Sequence, residues 1–305
     1  MNDSATIHIK HNGRKKKSSR QNMVIALFLV PACLIFLVYI MVPLLQTFYY
    51  SLLKWDGGIN KTFIGVQNYK TLVMDGIFGR AFCHNLVLVL ASVFVQVPLG
   101  LGLSLLLFSK MHGKKLYQTL AFLPYLMSTV GIGLLWTLMY DPINGSINNF
   151  IEMLGMKKIM WLSDPKTAML SVLVVIVWQC APFYMILFKA ALVGIPEDLY
   201  EASTLDGANA WSQFKNITIP MLWPTIIASA TLALVGSLKS FDLIYIMTSG
   251  GPNNQTELMG TYMFKIGFVQ NNLGYASAIA FAMFVIALTA TGLCQLIENK
   301  RGSVQ

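Results

Sequence analysis

An all-α, polytopic membrane fold of about six spanning helices is what this sequence predicts, and three observations carry that expectation. Of the 305 residues, 55% are hydrophobic and 11% charged, against about 45–50% and about 25% in an average soluble domain. Six apolar stretches reach the roughly 20 residues that a helix needs to cross the hydrocarbon layer. The basic residues behind the net charge of +9 sit at the edges of those stretches, which fits membrane topology better than a nucleic-acid-binding face. Water is therefore not the main solvent of this chain.

The stretches fall near residues 23–50, 85–108, 117–140, 167–190, 221–247 and 274–297. Pro31, Pro43, Pro98, Pro124 and Pro182 interrupt them, which a spanning helix tolerates when neighbours satisfy the freed carbonyls, so bent and closely packed spans are expected. The basic start followed by an apolar run resembles a secretory signal. The run is too long and lacks a small-residue cleavage site, so an uncleaved anchor is expected. The chain thus divides into a basic tail, 1–22, and a transmembrane domain, 23–305.

Lysine and arginine are retained on the cytoplasmic side of a membrane. Lys10, Arg14, Lys15, Lys16, Lys17 and Arg20 precede the first span; Lys110, Lys114 and Lys115 follow the second; Lys215 follows the fourth; Lys300 and Arg301 follow the sixth. All lie on one side. The other side carries Lys54, Lys61, Lys70, Arg80, Lys157, Lys158, Lys166 and Lys265, spread over longer loops. Both termini are predicted to be cytoplasmic, and the tail reads as a topology determinant.

Several chemistries are excluded. Cys33, Cys180 and Cys294 lie in apolar runs and Cys83 stands alone at the edge of another, so neither a disulfide framework nor a metal site is expected. His8, His11, His84 and His112 are scattered, and neither a His-Glu-x-x-His pair nor a nucleophile elbow occurs, so no catalytic residues are assigned. The phosphate-binding Gly-x-x-x-x-Gly-Lys-Ser/Thr loop is missing as well, so this chain does not itself hydrolyse nucleotide.

The most informative segment joins spans four and five, GIPEDLYEASTLDGANAWSQFKNITIPMLWP from Gly194 to Pro224. Pro196 suits the first position of a helix, and Glu197 and Asp198 place negative charge where the helix dipole favours it. Asp206 and Gly207 form a turn signal, and a second helix is expected from Ala208 towards Ile217 with Trp211 and Phe214 on one face. A compact helix-turn-helix against the membrane follows.

This loop resembles the cytoplasmic signature of binding-protein-dependent ABC importer permeases, Glu-Ala-Ala, then a glycine, then Ile-x-Leu-Pro. Glu201, Ala202, Gly207, Ile217 and Pro220 stand in register, with Ser203 for the third small residue and Ile219 for leucine. The resemblance implies that the first short helix is a coupling helix docking into a cleft of a cytoplasmic ATPase, with Glu201, Ala202, Ser203, Asp206 and Gly207 carrying the contact. FIGVQNYKTL from Phe63, FLPYLMSTVGIGLLW from Phe122, SFDLIYIMTSGGPNNQTE from Ser240 and GYASAIA from Gly274 extend the similarity to carbohydrate importer permeases of the maltose and glycerol-phosphate type.

That family implies a multi-pass subunit of the bacterial cytoplasmic membrane. It pairs with a second homologous permease, two copies of a cytoplasmic ABC ATPase holding ATP and Mg, and an extracytoplasmic solute-binding protein. No cofactor is expected on this chain itself. A permease for another polar solute, or a secondary transporter, is the alternative. A carbohydrate route would combine aromatic faces with amide, hydroxyl or carboxylate groups. Trp136, Tyr140, Trp178, Gln179, Tyr184, Lys239, Asp242 and Tyr245 are the candidates, although belt or core packing is the more ordinary role for each aromatic. Lys239 and Asp242, three apart, are expected on one helix face, as a neutralising pair or as pathway groups.

Overall fold

The computed structural model describes residues 19–108 and 112–302. Lys10, Arg14, Lys15, Lys16, Lys17 and Lys110, assigned above to the cytoplasmic side, lie outside the described residues, as do His8 and His11. The chain falls into two units, residues 1–47 and 48–305. α1 (Ser19–Phe36) passes through a π-helical stretch, Leu37–Met41, into α2 (Val42–Ser51), which runs past the end of the first unit at Thr47. Pro31 lies inside α1, where the helix continues in spite of the missing amide donor.

The second unit starts with a short hairpin, β1 (Leu53–Lys54) against β2 (Thr62–Phe63), followed by α3 (Gln67–Met74). Then come α4 (Gly76–Ala91), a π turn at Ser92–Gln96 and α5 (Val97–Phe108), which together form one continuous span. The next pair is α6 (Lys114–Leu126) and α7 (Thr129–Met139), bent by 94° at Met127 and Ser128. The short α8 (Ser146–Met153) leads to the long α9 (Ala168–Val193). After α10 (Glu197–Leu205) and α11 (Ala210–Gln213), a π stretch at Phe214–Thr218 runs into α12 (Ile219–Leu238). The chain closes with α13 (Asp242–Thr248), α14 (Met259–Phe264) and α15 (Leu273–Gly302).

The architecture is the expected all-helical polytopic one. Among the described residues five helices are long and apolar enough to cross a membrane, and the bent α6–α7 pair supplies a sixth. Three details differ from the sequence reading. Span two begins at Gly76 rather than near 85, because the Asp75 carboxylate caps α4 at the amides of Ile77 and Phe78. Span three is broken rather than continuous. Span five ends at Leu238 and helix resumes only at Asp242.

Packing explains how such a chain coheres where lipid is as apolar as leucine. Helices in a membrane associate through close approach and internal hydrogen bonds rather than hydrophobic exclusion. Gly100 of α5 lies so near α9 that a Cβ there would sit 2.6 Å from the Tyr184 Cβ and 3.0 Å from the Ala181 carbonyl. Gly133 of α7 likewise abuts Ile246, at 2.7 Å. Around these contacts Leu88, Ile132, Val172 and Ile244 form one core cluster, while Val97, Tyr184, Phe188, Leu192 and Leu222 form another. Outward-facing Phe94, Leu138 and Leu293 stay exposed, as lipid contact requires.

Buried polar groups staple the breaks. Asn85, fully buried, donates from Nδ2 to the Ser237 carbonyl and accepts the Met259 amide on Oδ1, both at 2.9 Å. It therefore joins the end of α12 to the start of α14. The Ser237 hydroxyl donates to that of Ser92 at 2.9 Å. At the other end of α4, Asp75 Oδ2 accepts from Tyr262 at 2.5 Å and Tyr275 at 2.7 Å. Burial pushes this carboxyl up, but the hydrogen bonds from both phenols and from the Ile77 and Phe78 amides outweigh it and hold it below the ordinary 3.8.

Asn85→Ala is expected to lower the stability of the purified protein by about 1–3 kcal/mol, because the Met259 amide would be left buried and unpaired and the Ser237 carbonyl would be left with its long bond from the Ser240 amide; thermal melting in detergent measures it. Since a depressed carboxyl stabilises the fold above its unfolded value and loses that contribution as pH falls through the folded one, the melting gap between wild type and Asp75→Asn should be full at neutral pH. It should close once the pH drops below the ordinary 3.8.

Candidate functional site

The loop between α9 and α12 is a small rigid body. Pro196, expected as the first helical residue, is instead the N-cap of α10, which begins one position later, and Glu197 and Asp198 occupy the first turn where the dipole favours them. Gly207 ends the helix with φ +80°. The Ala208 amide reaches the Ser203 carbonyl at 2.9 Å and the Gly207 amide reaches that of Thr204 at 3.0 Å, the paired bonds of a Schellman cap. Asn209 then caps α11 by accepting the Ser212 amide at 2.8 Å.

Side chains lock the two halves together. Gln213 Nε2 donates to Ser203 Oγ and Thr204 Oγ1, each at 2.9 Å, and to the Tyr200 carbonyl at 3.2 Å. Tyr200 and Thr218 share a hydroxyl bond at 2.9 Å. The expected second helix exists but is not separate. It runs on through the π stretch and Pro220 into span five as one helix, Ala210–Leu238, with Pro220 directly after the widened turn at Phe214–Thr218; a spanning helix tolerates the missing donor where neighbours satisfy the freed carbonyl. Trp211 and Phe214 stack at 5.6 Å on it, as anticipated.

The loop presents an outward surface. Glu201, Ala202, Asp206 and Gly207 are exposed and Ser203 is half-buried. Among the described residues the Glu201 carboxylate has neither a hydrogen bond nor an ion pair. Leu205 is 89% exposed and Trp211 69%.

Two adjoining cavities lie among the spans. The larger, about 420 Å³, is lined by Thr129, Gln179, Lys239, Ser240 and Asp242, with Tyr125 and Cys180. The smaller, about 280 Å³, is lined by Ser92, Gln96, Tyr184, Phe183 and Ser237, and shares Tyr125, Cys180 and Ser240. Both helix breaks, at 127–128 and at 239–241, adjoin them. Of the sequence candidates, Gln179, Lys239 and Asp242 are brought together in the larger cavity and Tyr184 lines the smaller. Gln179 reaches Thr129 at 3.5 Å.

The remaining candidates sit elsewhere. Tyr140 is 5% exposed, donates to the Ser171 carbonyl at 3.3 Å and packs beside Trp136 and Trp161. Trp136 also meets the edge of Trp178 at 5.4 Å, and Tyr245 stacks on Phe241 at 5.0 Å. Lys239 and Asp242 do not share a helix face. Lys239 caps the end of α12 and Asp242 opens α13, and the two form no ion pair with one another among the described residues. Spacing of three implies a common face only in unbroken helix, and here three non-helical residues intervene between Leu238 and Asp242.

Sequence reasoning missed Gln96, Tyr125, Phe183, Asn85 and Glu257. Glu257 is fully buried and pairs with Lys265. Gly250 presses on its carboxylate so closely that a Cβ would meet Oε2 at 2.2 Å. A lone acid after a Gly-Gly-Pro turn gave no signal of that partner.

The chain is similar to several known proteins. Residues 10–302 match the family described as binding-protein-dependent transport system inner membrane component. It is 36% identical over 288 residues to the probable ABC transporter permease protein YurN of Bacillus subtilis, covering 92% of this chain and 98% of the other. It is 31% identical to the trehalose/maltose transport system permease protein MalF of Thermococcus litoralis, covering 92% and 95%. Its fold matches a chain of a bacterial alginate ABC transporter, crystallised in complex with an alginate pentasaccharide-bound periplasmic protein, with a TM-score of 0.83 at 24% identity, covering 94% and 98%.

The cap at Gly207 makes a local prediction. Space around it is open, so Gly207→Val is opposed by its positive φ alone, at a cost of about 1–2 kcal/mol. Amide hydrogen exchange at Gly207 and Ala208 should accelerate in that variant, whereas Gly207→Asn should keep most of the protection.

Proposed function

This chain belongs to the family of binding-protein-dependent transport system inner membrane components, and from that premise we propose that it forms the permease half of an ABC importer that carries an uncharged carbohydrate inward. The exposed, capped helix α10 with its unpartnered Glu201 supports the coupling role most directly. A rigid amphipathic helix offering Leu205 and an acid beside small residues suits a groove on a partner. That partner is a cytoplasmic ATPase, present in two copies and holding the ATP and Mg. A second homologous permease and an extracytoplasmic solute-binding protein complete the assembly in the cytoplasmic membrane, with both termini of this chain on the inner side.

In this reading Glu201, Ala202, Ser203, Asp206 and Gly207 follow the ATPase as it closes and opens. Gln213 and the Tyr200–Thr218 bond pass that motion to α12, and the cavities at its broken end alternate between outward and inward access. The cargo class is supported by the trehalose/maltose relative and by cavity chemistry. Hydroxyls and amides line the cavities beside aromatic rings, and the one cation and one anion at the larger cavity, Lys239 and Asp242, leave it without net charge.

Two measurements test the proposal. Cells carrying or lacking this gene are fed labelled mono- and oligosaccharides, with an amino acid as control; a sugar whose uptake depends on the gene is expected, and gene-dependent uptake of the amino acid alone would overturn the cargo assignment. Glu201→Trp with Gly207→Val is expected to cut ATPase co-purification and uptake by about tenfold or more, the equivalent of roughly 1.4 kcal/mol at the contact. Unchanged association and uptake would refute the coupling role of the loop.

A further inference from the structure

The segment between spans one and two carries a face that the proposed function does not use. Along one side α3 is pinned to the protein. Asn68, buried, donates from Nδ2 to the Ser51 and Leu53 carbonyls at 2.8 and 2.9 Å, the Tyr69 hydroxyl shares a 2.6 Å bond with that of Ser51, and Leu72 packs with Tyr262, Ile266, Tyr275 and Ile279. The opposite side is bare. Val66 at the N-cap, Lys70, Val73 and Met74 recur at the spacing of one helix face, and Val73 and Met74 are 87% and 86% exposed. With the Tyr69 ring they line an open groove of about 340 Å³.

Position and charge together say what covers it. α3 is tied to the end of span one at Ser51 and leads through Asp75 into span two at Gly76, so it lies where the lipid-facing surfaces of the spans it joins come to an end. Tyr49, Tyr50 and Trp55 gather there, neighbouring ring centroids lying 5.9 and 4.6 Å apart, as aromatic residues do at the border of the hydrocarbon layer. A helix at that border with an apolar face and a lysine lies in the plane of the interface. Of the segment's cations, Lys61 sits over the Tyr50 and Trp55 rings at 4.9 and 4.4 Å, whereas the Lys70 ammonium has neither a hydrogen bond nor an ion pair among the described residues. Both acids of the segment are engaged elsewhere, Asp56 with the Gly58 amide and Asp75 with two phenols. Lys70 thus stands in an apolar groove with no anion of its own protein to face.

We propose that this groove is a phospholipid site, with an acyl chain lying along Val66, Val73 and Met74 and the phosphate held by Lys70. A phospholipid offers both halves of that pattern in one molecule, and it is the solvent of the spans that α3 joins. The spans alternate in direction, so α3 stands at the opposite membrane face from α10, which is the outer leaflet in the orientation proposed above; only that choice of side rests on the proposed function. Because α3 holds the end of span one through Asn68 and packs on α14 and α15 through Leu72, the bound lipid bears on a strut that several spans share.

The test uses the full-length protein, purified with the partners it retains and reconstituted in vesicles of phosphatidylglycerol and phosphatidylcholine. In a variant with Cys33, Cys83, Cys180 and Cys294 replaced by alanine, a spin label at Met74→Cys is expected to collide more often with oxygen, which concentrates in lipid, than with a water-soluble nickel chelate. Preference for nickel would put the groove in water and overturn the proposal. Shielding from both would mean that a protein covers it, and overturns the proposal likewise.

A second arm, which keeps the native cysteines and decides alone should the cysteine-free variant not assemble, asks for the phosphate. Phosphatidylglycerol with a photoreactive acyl chain is expected to label the Val66–Met74 stretch of the wild type. Lys70→Glu should lower that labelling about fivefold, the usual weight of one basic residue beside a membrane surface, and leave labelling around the lipid-facing Phe94 unchanged. Equal labelling of α3 in both proteins would mean ordinary lipid exposure without a site, and an unlabelled α3 in the wild type would mean no lipid there; either result refutes the proposal. Neither readout depends on cargo or coupling, so a protein that carried no sugar would still show both.

Discussion

A break in a membrane helix exposes backbone carbonyls and amides that the surroundings cannot hydrate, and the demand that each be satisfied from within governs this structure. The break after Leu238 is the clearest case. Near the end of α12 the Ser237 carbonyl accepts a long 3.3 Å bond from the Ser240 amide; Asn85 reaches across from span two to bond it at 2.9 Å, and with its other end takes the first amide of α14. One buried side chain thus holds three segments far apart in sequence. Thr261 serves the same need at α14, accepting the Leu258 amide and donating to the Leu258 carbonyl. Without these bonds the irregular backbone at membrane depth would have no stable conformation.

Such breaks are kept because they line a cavity. Ser240 lies in one and Thr129 directly follows the other, and both face the larger space. The walls around them are rigid by contrast. Gly100 fixes α5 against α9, and Gly133 fixes α7 against Ile246. The cavity therefore has hard sides and jointed ends, an arrangement that permits its access to change while its recognition groups keep their spacing.

The spans were legible because hydrophobic length reports directly on bilayer thickness, and the Gly194–Pro224 loop because caps and turns are local chemistry. Gly207 announces a turn, whereas the cap at Asn209, past the expected helix start at Ala208, went unread. What was not legible is long-range. Asn85 and Glu257 are single polar letters in apolar or turn sequence, and their partners at Ser237 and Lys265 are identified only by the fold. Lys239 and Asp242 misled for a related reason: a spacing of three has meaning only inside a continuous helix, and nothing local to Lys-Ser-Phe-Asp marks the point where this one stops. Gln96 resembled any other polar residue in a span until the cavity beside it was known.

The same unforeseen continuity links the two halves of the proposed function. A separate second helix in the loop between α9 and α12 would have been a hinge, free to absorb any push from a partner. Instead α11 is the first turn of a helix of 29 residues that reaches Leu238, or about 43 Å at the usual rise. Gln213 binds α10 to that helix at its start, and Tyr200 does so again at Thr218. A displacement of α10 is therefore not dissipated in the loop. It is delivered along α12 to the first joint available, at Lys239–Phe241, where the cavities begin. Pro224 and the π stretch before it supply some bend, but neither interrupts the rod. Mechanical continuity from an exposed helix to a jointed polar cavity is what a coupled translocation subunit needs, and in this chain a single helix provides it.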